Sequence, residues 1–219
     1  MDEKKILQQI EEHKRAIIYS FFDSFDDLSV KRLEMQAYSE ERIRAVVAFE
    51  DEKKVIYENS DLKIEQGFRK YITWFNNEVL QNKKLYCKNI LSYKNCGFIE
   101  NIEEKIADME EQKQDYYYRL GCIIAIVSAL NVEIVEVENI IEMNDQPVIK
   151  DITKIFKAYP IYYQNEETGK IMFEEFESQC PIKYRMYMKD GYEYINTFMR
   201  ENDIRDIVKL CFGELILKK

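Results

Sequence analysis

The sequence has almost no histidine, and this scarcity excludes several classes of catalytic site. His13 is the only histidine among 219 residues, so imidazole-dependent triads and histidine-rich zinc sites lack their essential residue. Its neighbours, "IEE" and "KRAII", belong to a polar helical pattern, which predicts a surface position for the His13 side chain. We therefore expect no chemistry that depends on imidazole.

Cysteines are few and widely spaced. The sequence contains five of them, with no C-x-x-C pair, at Cys87, Cys96, Cys122, Cys180 and Cys211. This spacing fits neither a structural zinc site nor a redox couple. We interpret them as reduced packing residues, and we expect no zinc.

The sequence also lacks an excess of positive charge and long apolar runs. The net charge is −9 and the pI is near 5.0, which argues against a nucleic-acid partner, because neutralising phosphates requires clustered lysine and arginine. The charged N-terminal sequence lacks the apolar region of a signal peptide, and no apolar run approaches the length of a membrane span. We expect a cytoplasmic protein without a membrane partner. With three prolines and six glycines and no flexible linker, we expect a single unit over residues 1–219.

Hydrophobic periodicity predicts the main elements. Apolar residues recur at helical spacing over residues 3–22, whereas residues 44–58 read as two short strands around an acidic turn. A strongly apolar helix is predicted over residues 116–130, and we assign the three tyrosines at its start to the core. Two short strands are predicted over residues 139–156, and a helical tail follows with a break near Gly191.

The segment "VEIVEVENIIEMNDQPVIKDITKIF", residues 132–156, has the spacing of a kinase-type centre. Such a centre needs a group that orients the acceptor hydroxyl, an Asn about five residues later for one Mg²⁺, and an Asp after a short hairpin for the metals at the phosphates. Asn139 and Asp151 occupy the last two positions. Ile134 occupies the first, and an isoleucine cannot accept a proton. The alternative for Asp151 is a carboxylate that caps or tethers a strand end.

Longer stretches of the chain match, in order, the motifs of one known family. "DYYYRLGCIIAIVSALNVEIVEVENIIEMNDQPVIKDITKIF" is similar to an apolar helix, a T-D-x-H-x-E-N-I-I segment and a P-V-x-I-D-x-E-T-L-F hairpin. "IRAVVAFEDEKKVIYENSDLKIEQGFRKYITWFNN" is similar to an R-x-V hairpin, a K-P-R-S-L strand end and an F-x-K-F-x-x-W-x-N helix. "NCGFIE" and "KDGYEYINTFM" are similar to Y-G-W-x-E-F and G-F-x-x-x-Y segments. Over residues 36–205, the chain thus resembles the dehydratase domain of the class II lanthipeptide synthetases, the LanM-type enzymes.

The resemblance implies an α+β, lipid-kinase-like fold with two lobes. We expect a small β-containing N-lobe over residues 36–110, a mostly helical C-lobe over residues 111–219, and an N-terminal helical extension over residues 1–35. Enzymes of this family phosphorylate Ser and Thr of a precursor peptide with Mg-ATP and then eliminate the phosphate. Their cyclase domain, which holds zinc with Cys and His, has no counterpart in this chain, so we expect no thioether ring formation.

The chain keeps some of the family's functional positions and departs from others. Asn139 and Asp151 match the two positions implied to hold metal, and Arg44 matches the arginine of the R-x-V motif, implied to bind the cofactor. In the catalytic segment, Ile134 and Glu136 replace the family's Asp and His, and Thr153 replaces the Glu after the hairpin Asp. In K-P-R-S-L, Glu58 and Ser60 replace the Lys and Arg. In an upstream G-D-x-H stretch, Tyr38 and Glu40 replace the Asp and His. At Glu58 the charge is reversed, and a carboxylate there would repel a nucleotide's phosphates.

These departures remove a base, a phosphate-binding cation and an elimination residue together. We interpret the chain as a catalytically inactive, peptide- or protein-binding factor without a cofactor, whose expected partner is a precursor peptide or a lanthipeptide synthetase. One alternative is a phosphotransferase that keeps Mg-ATP on Asn139 and Asp151. Its candidate bases are Glu133, Glu136 and Glu138. Another alternative is an immunity or anti-defence protein whose acidic surface blocks a basic partner. The oligomeric state stays open.

Overall fold

The structure, a computed structural model, describes residues 3–37, 42–130, 132, 135–156 and 166–213. The chain divides into two compact units, Met1–Gln66 with Lys88–Asn101, and Gly67–Cys87 with Ile102–Lys219. This division differs from the predicted lobe boundary after residue 110, because the chain passes from the first unit to the second, back again, and once more to the second.

The first unit consists of one long helix and an antiparallel sheet. Helix α1 (Glu3–Phe22) occupies the residues predicted for it. The sheet has the strand order β1-β2-β3-β5-β4, and every neighbouring pair is antiparallel. Its strands are β1 (Val30–Ala37), β2 (Ile43–Phe49), β3 (Lys54–Glu58), β4 (Ile90–Ser92) and β5 (Gly97–Glu100). The hairpin predicted over residues 44–58 is therefore confirmed as β2 and β3.

The core of the first unit contains the apolar face of α1. Ile6, Ile10 and Ile17 are fully buried in one cluster with Phe49 and Tyr57 of the sheet. The isoleucines recur at helical spacing, so they lie on one face of α1. Burying each such side chain stabilises the fold by roughly 1.5–3 kcal/mol. Helix α1 is therefore an integral part of this unit.

Two predictions about the N-terminal segment need correction. The helical extension expected over residues 1–35 ends at Phe22, because residues 30–35 belong to strand β1. His13 is half-buried, and its ring stacks on that of Tyr93 with centroids 3.6 Å apart. The polar neighbours along the chain concealed this contact, since Tyr93 is distant in sequence.

The second unit is mostly helical. Its small sheet has the order β6-β7-β8, with β6 parallel to β7 and β7 antiparallel to β8. Helix α2 (Lys63–Glu78) begins in the first unit and continues into the second. The other elements of the second unit are β6 (Lys105–Ile106), α3 (Glu110–Ser128), β7 (Ile140–Asn144), β8 (Gln146–Ile149), α4 (Glu166–Gln179), α5 (Arg185–Glu201) and α6 (Arg205–Phe212). The hairpin predicted over residues 139–156 is confirmed as β7 and β8. Its turn places Asn144 at a φ of 56°, a conformation that asparagine tolerates better than most residues.

Helices α3 and α5 meet through two glycines. A side-chain carbon at Gly121 would lie 1.9 Å from the backbone oxygen of Met188, and one at Gly191 would lie 2.0 Å from that of Tyr118. Any larger residue would force the two backbones apart. The predicted break near Gly191 is wrong, because α5 runs through this residue and its glycine permits close packing.

The three consecutive tyrosines lie in α3 and contribute to packing of the second unit. Tyr116 is buried. The ring of Tyr117 stacks on that of Tyr184, with centroids 4.8 Å apart. The assignment of these residues to the core is confirmed for Tyr116, and Tyr117 is held in an aromatic pair typical of protein interiors.

The described residues combine helices with two sheets, which places the chain in the α+β class. The lipid-kinase-like arrangement stays a prediction. Within the described ranges, the helices are too short or too polar for any of them to cross a bilayer. The cytoplasmic location also stays a prediction.

Candidate functional site

The predicted metal positions Asn139 and Asp151 are brought together in the second unit. A short 3-10 helix, Val137–Asn139, leads into β7, and the hairpin returns the chain to the same point after β8. Nδ2 of Asn139 donates to the backbone oxygen of Asp151 at 2.9 Å, and Oδ1 of Asn139 accepts from the backbone N–H of Asp151 at 3.1 Å. The side-chain amide of Asn139 thus bonds both backbone groups of Asp151 at the end of the hairpin, as the backbone of a neighbouring strand would.

The carboxylate of Asp151 is also engaged within the chain. Asp151 is 3% exposed. Its Oδ1 accepts hydrogen bonds from the backbone N–H of Thr153 at 3.0 Å and from the Thr153 hydroxyl at 2.7 Å. This is a turn in which an aspartate caps the residue two positions later. The geometry matches the alternative stated above, in which Asp151 tethers a strand end.

One oxygen of Asn139 and one of Asp151 are thus used within the hairpin. Mg²⁺ requires several oxygen ligands in octahedral geometry, whereas Oδ1 of Asn139 and Oδ1 of Asp151 each accept hydrogen bonds from backbone N–H groups. Within the described ranges, no group of three or more His, Cys, Asp or Glu residues is placed to hold a metal ion. The role of Asn139 and Asp151 as metal ligands stays a prediction, and the role that the structure displays is a tether.

Several other predicted positions flank this hairpin. Glu136, which precedes the 3-10 helix, and Glu138, which lies within it, are both exposed. Glu133 and Ile134 lie outside the described residues, as do Tyr38 and Glu40 in the earlier part of the chain.

The predicted cofactor residue Arg44 lies in the first unit, within an arginine–carboxylate cluster formed by Arg42, Arg44, Glu58 and Glu65. Arg44 on β2 and Glu58 on β3 are directly opposite in the strand register. Nε and Nη2 of Arg44 donate to Oε1 of Glu58 at 2.8 and 2.5 Å. Nη2 of Arg42 lies 2.6 Å from Oε2 of the same carboxylate. Since Glu58 is 1% exposed, it is a buried carboxylate held between two guanidinium groups.

Glu65 adds a second carboxylate from the first turn of α2. Its Oε1 accepts a hydrogen bond from Nη2 of Arg42 at 2.9 Å. Burial raises the pKa of Glu65 to about 7, and the neighbouring Glu58 carboxylate contributes to this rise, whereas Arg42 opposes it. Both arginines of the cluster therefore already contact a carboxylate of the same chain.

The sequence prediction found part of this cluster and missed the rest. It identified Arg44 and the reversed charge at Glu58. It missed Arg42 and Glu65. Arg42 lies two residues before Arg44, and residues at that spacing share one face of an extended chain, which is a signal that was available. Glu65 lies on a helix, and no local pattern marks it as the partner of a strand arginine.

A cleft of 380 Å³ lies in the second unit between the end of α3 and helices α4 and α5. Phe173 and Tyr192, whose ring centroids are 4.5 Å apart, line it. Side chains of both charges surround this pair, among them Lys170, Glu174 and Lys189. No sequence pattern marks these residues as a site, because they come from two separate helices of ordinary composition.

Comparison with known proteins places these observations in a family. A family model described as "Domain of unknown function (DUF4135)" matches residues 3–180. The "Lacticin 481/lactococcin biosynthesis protein LcnDR2" of Lactococcus lactis subsp. lactis is 26% identical over 144 residues, which cover 59% of this chain and 16% of that protein. The chain therefore spans a small part of the length of this curated relative. The resemblance to LanM-type proteins is confirmed by these two matches.

Proposed function

This chain belongs to the family described as "Domain of unknown function (DUF4135)", and on that premise we propose that it is a catalytically inactive, lanthipeptide-related binding protein. Its proposed partner is a precursor peptide or a lanthipeptide synthetase. The proposal includes a lipid-kinase-like fold that has kept its architecture while its chemistry positions have changed. The similarity to a lacticin 481/lactococcin biosynthesis protein supports the choice of partner.

The buried Glu58 is the observation that carries the proposed lack of catalytic activity. In the LanM-type family that this chain resembles, a lysine that faces phosphate is expected at this position. Here a carboxylate stands in its place, and Arg44 donates two hydrogen bonds to it. A nucleotide phosphate would have to displace Glu58 from both arginines, which leaves a buried charge without its partners at a cost of about 3–5 kcal/mol. Phosphate binding would first have to overcome this cost.

The tethered hairpin supports the same proposal. The amide of Asn139 is bonded to the backbone of Asp151, and Thr153, at the position of the family's elimination glutamate, bonds the Asp151 carboxylate. Groups that catalyse by electrostatic stabilisation must point at the reacting atoms. In this chain the same groups stabilise the hairpin.

The cleft between α3, α4 and α5 supports binding of a peptide. Its aromatic pair, Phe173 and Tyr192, offers apolar contact area, and the surrounding lysines and glutamates offer partners for both charges. Tyrosine is a residue that frequently anchors protein interfaces. We assign the peptide to this cleft as part of the proposal.

The test measures binding and chemistry in the same preparation. A fluorescently labelled lanthipeptide precursor is titrated with the protein, and mass spectrometry follows the peptide after incubation with Mg-ATP. We expect saturable binding, with a Kd on the order of 1 μM, equivalent to about 8 kcal/mol, and an unchanged peptide mass. Tyr192→Ala weakens binding, whereas Lys94→Ala, on the other unit, leaves it unchanged.

Two outcomes contradict the proposal. A peptide that gains phosphate or loses water in the presence of Mg-ATP would show an active enzyme. A precursor that does not bind, together with a synthetase that does not bind, would remove the proposed partner class.

A further inference from the structure

Two arginines in the first unit converge on one buried carboxylate. Arg44 donates from Nε and Nη2 to Oε1 of Glu58 at 2.8 and 2.5 Å, and Arg42 approaches Oε2 at 2.6 Å. Arg44 thus binds one carboxylate oxygen through two N–H groups, and the guanidinium of Arg42 lies against the other oxygen. Charge-assisted contacts of this kind are the ones that guanidinium groups make to carboxylates and phosphates. This is the arrangement of an oxyanion-binding site in which the bound carboxylate, that of Glu58, belongs to the same chain.

The fit of this occupant is incomplete. Oε2 of Glu58 is buried and, among the described atoms, accepts no well-directed hydrogen bond. Its contact with Arg42 is an ion pair without hydrogen-bond geometry. A free oxyanion, which is not restrained by a strand backbone, can adjust its orientation to both guanidinium groups.

The site has a side that faces solvent. The Arg42 side chain is 23% exposed, whereas those of Arg44 and Glu58 are 11% and 1% exposed. An anion can therefore approach along Arg42 once the Glu58 carboxylate is removed. Glu65, which is bonded to Arg42, would stay in place beside the opened site.

We propose that Arg42 and Arg44 form an oxyanion-binding site that the Glu58 carboxylate occupies within the same chain, so that removing this carboxylate opens the site to acetate or phosphate from solution. The ligand class is a small carboxylate or phosphate oxyanion. The inference rests on the proposed function in one respect, since the unmodified protein must leave phosphate unbound because its own carboxylate fills the site.

Glu58→Ala tests this inference by chemical rescue. Acetate has the same heavy atoms as the part of the Glu58 side chain that the substitution removes, and phosphate represents the second ligand class. Thermal unfolding is measured in acetate, in phosphate, and in chloride at the same ionic strength and pH. We expect the melting temperature of Glu58→Ala to lie below that of the unmodified protein in chloride and to rise in acetate or phosphate, while the unmodified protein changes equally little in all three salts.

Two matched variants exclude a general salt effect. Glu34→Ala removes an exposed carboxylate of the same sheet, which pairs with Arg32 at 2.8 Å, and it should respond equally to the three salts. Glu58→Ala combined with Arg44→Met restores the charge balance without an oxyanion, so it should fold in chloride and show no rescue.

The outcomes separate this inference from the proposed function. Glu58→Ala that behaves identically in chloride, acetate and phosphate, or that stays unfolded in all three while the double variant folds, overturns the oxyanion site and leaves the binding proposal intact. Phosphate-specific stabilisation of the unmodified protein overturns both the intramolecular occupancy and the argument that Glu58 excludes nucleotide.

Discussion

Asn139→Ala tests whether the contact between Asn139 and Asp151 is a structural tether. The substitution removes the hydrogen bond to the Asp151 backbone oxygen at 2.9 Å and the one from its backbone N–H at 3.1 Å. Two hydrogen bonds at about 1 kcal/mol each give a loss of about 2 kcal/mol. Because Asp151 is 3% exposed, its backbone groups gain little compensation from water, which brings the expected loss to about 3 kcal/mol.

The assay follows both the stability and the local opening of the hairpin. Urea unfolding gives the free energy, and amide hydrogen exchange of Asp151 reports whether its N–H has lost protection. Both are measured in EDTA and again in Mg²⁺. Glu138→Ala is the matched control, because Glu138 is an exposed neighbour in the same 3-10 helix and its loss should change stability by less than about 0.5 kcal/mol.

If the contact is a structural tether, Asn139→Ala lowers the free energy of unfolding equally with and without Mg²⁺. A loss below about 0.5 kcal/mol would show that the two hydrogen bonds do not hold the hairpin. A loss that appears only in Mg²⁺ would instead mean that the amide holds a cation, and the phosphotransferase alternative would regain its support.

Three further predictions follow from other contacts. Glu65 has a pKa of about 7 in the folded protein against an ordinary value of 4.5. Between these two pH values the folded state holds a proton that the unfolded state has lost, so the contribution of Glu65 to stability is fully present below about pH 4.5 and falls by about 3 kcal/mol as the pH rises to about 7. Glu65→Gln should flatten this slope in urea titrations at several pH values, and an unchanged slope would contradict the assignment. Gly121→Ala should cost about 3 kcal/mol in the same unfolding assay, because the new carbon meets backbone. At Gly169 the new carbon meets only side-chain atoms of Tyr192 and Ser128, at 2.9 to 3.1 Å, so Gly169→Ala should stay within about 1 kcal/mol. A Gly121→Ala loss as small as that of Gly169→Ala would show that α3 and α5 can move apart at little cost. Arg119→Met should cost about 3 kcal/mol, because the buried guanidinium donates to the backbone and carboxylate of Asp145 at 3.1 and 2.7 Å, and a near-neutral result would mean that this pair does not fix the hairpin turn.

Local patterns in the sequence determined most of the elements. The isoleucine spacing predicted α1 between the correct residues, and the alternation over residues 44–58 predicted β2 and β3. The turn at Asn144 between β7 and β8 was also predicted. These signals are local, because helix and strand periods of 3.6 and 2 are written into neighbouring side chains. The ordered motifs likewise sufficed to indicate the LanM-type family, which the comparisons confirm.

The tertiary structure decided what the identified residues do. Arg44 was predicted from a motif, yet its partner depends on the register that places it opposite Glu58. Asn139 and Asp151 were predicted from their spacing, and only the closed hairpin shows the amide bonded to the backbone.

The corrections have the same physical origin. A break in the helical tail was predicted near Gly191, a residue type that lowers helix propensity. In the structure the helix continues, and the missing side chain of Gly191 lets the backbone of α3 approach. His13 was predicted at the surface, because its neighbours along the chain are polar, and the ring that covers it comes from Tyr93. Sequence periodicity fixes which face of an element is apolar, whereas the partner that meets a particular side chain is set by contacts between distant segments, and those exist only once the chain has folded.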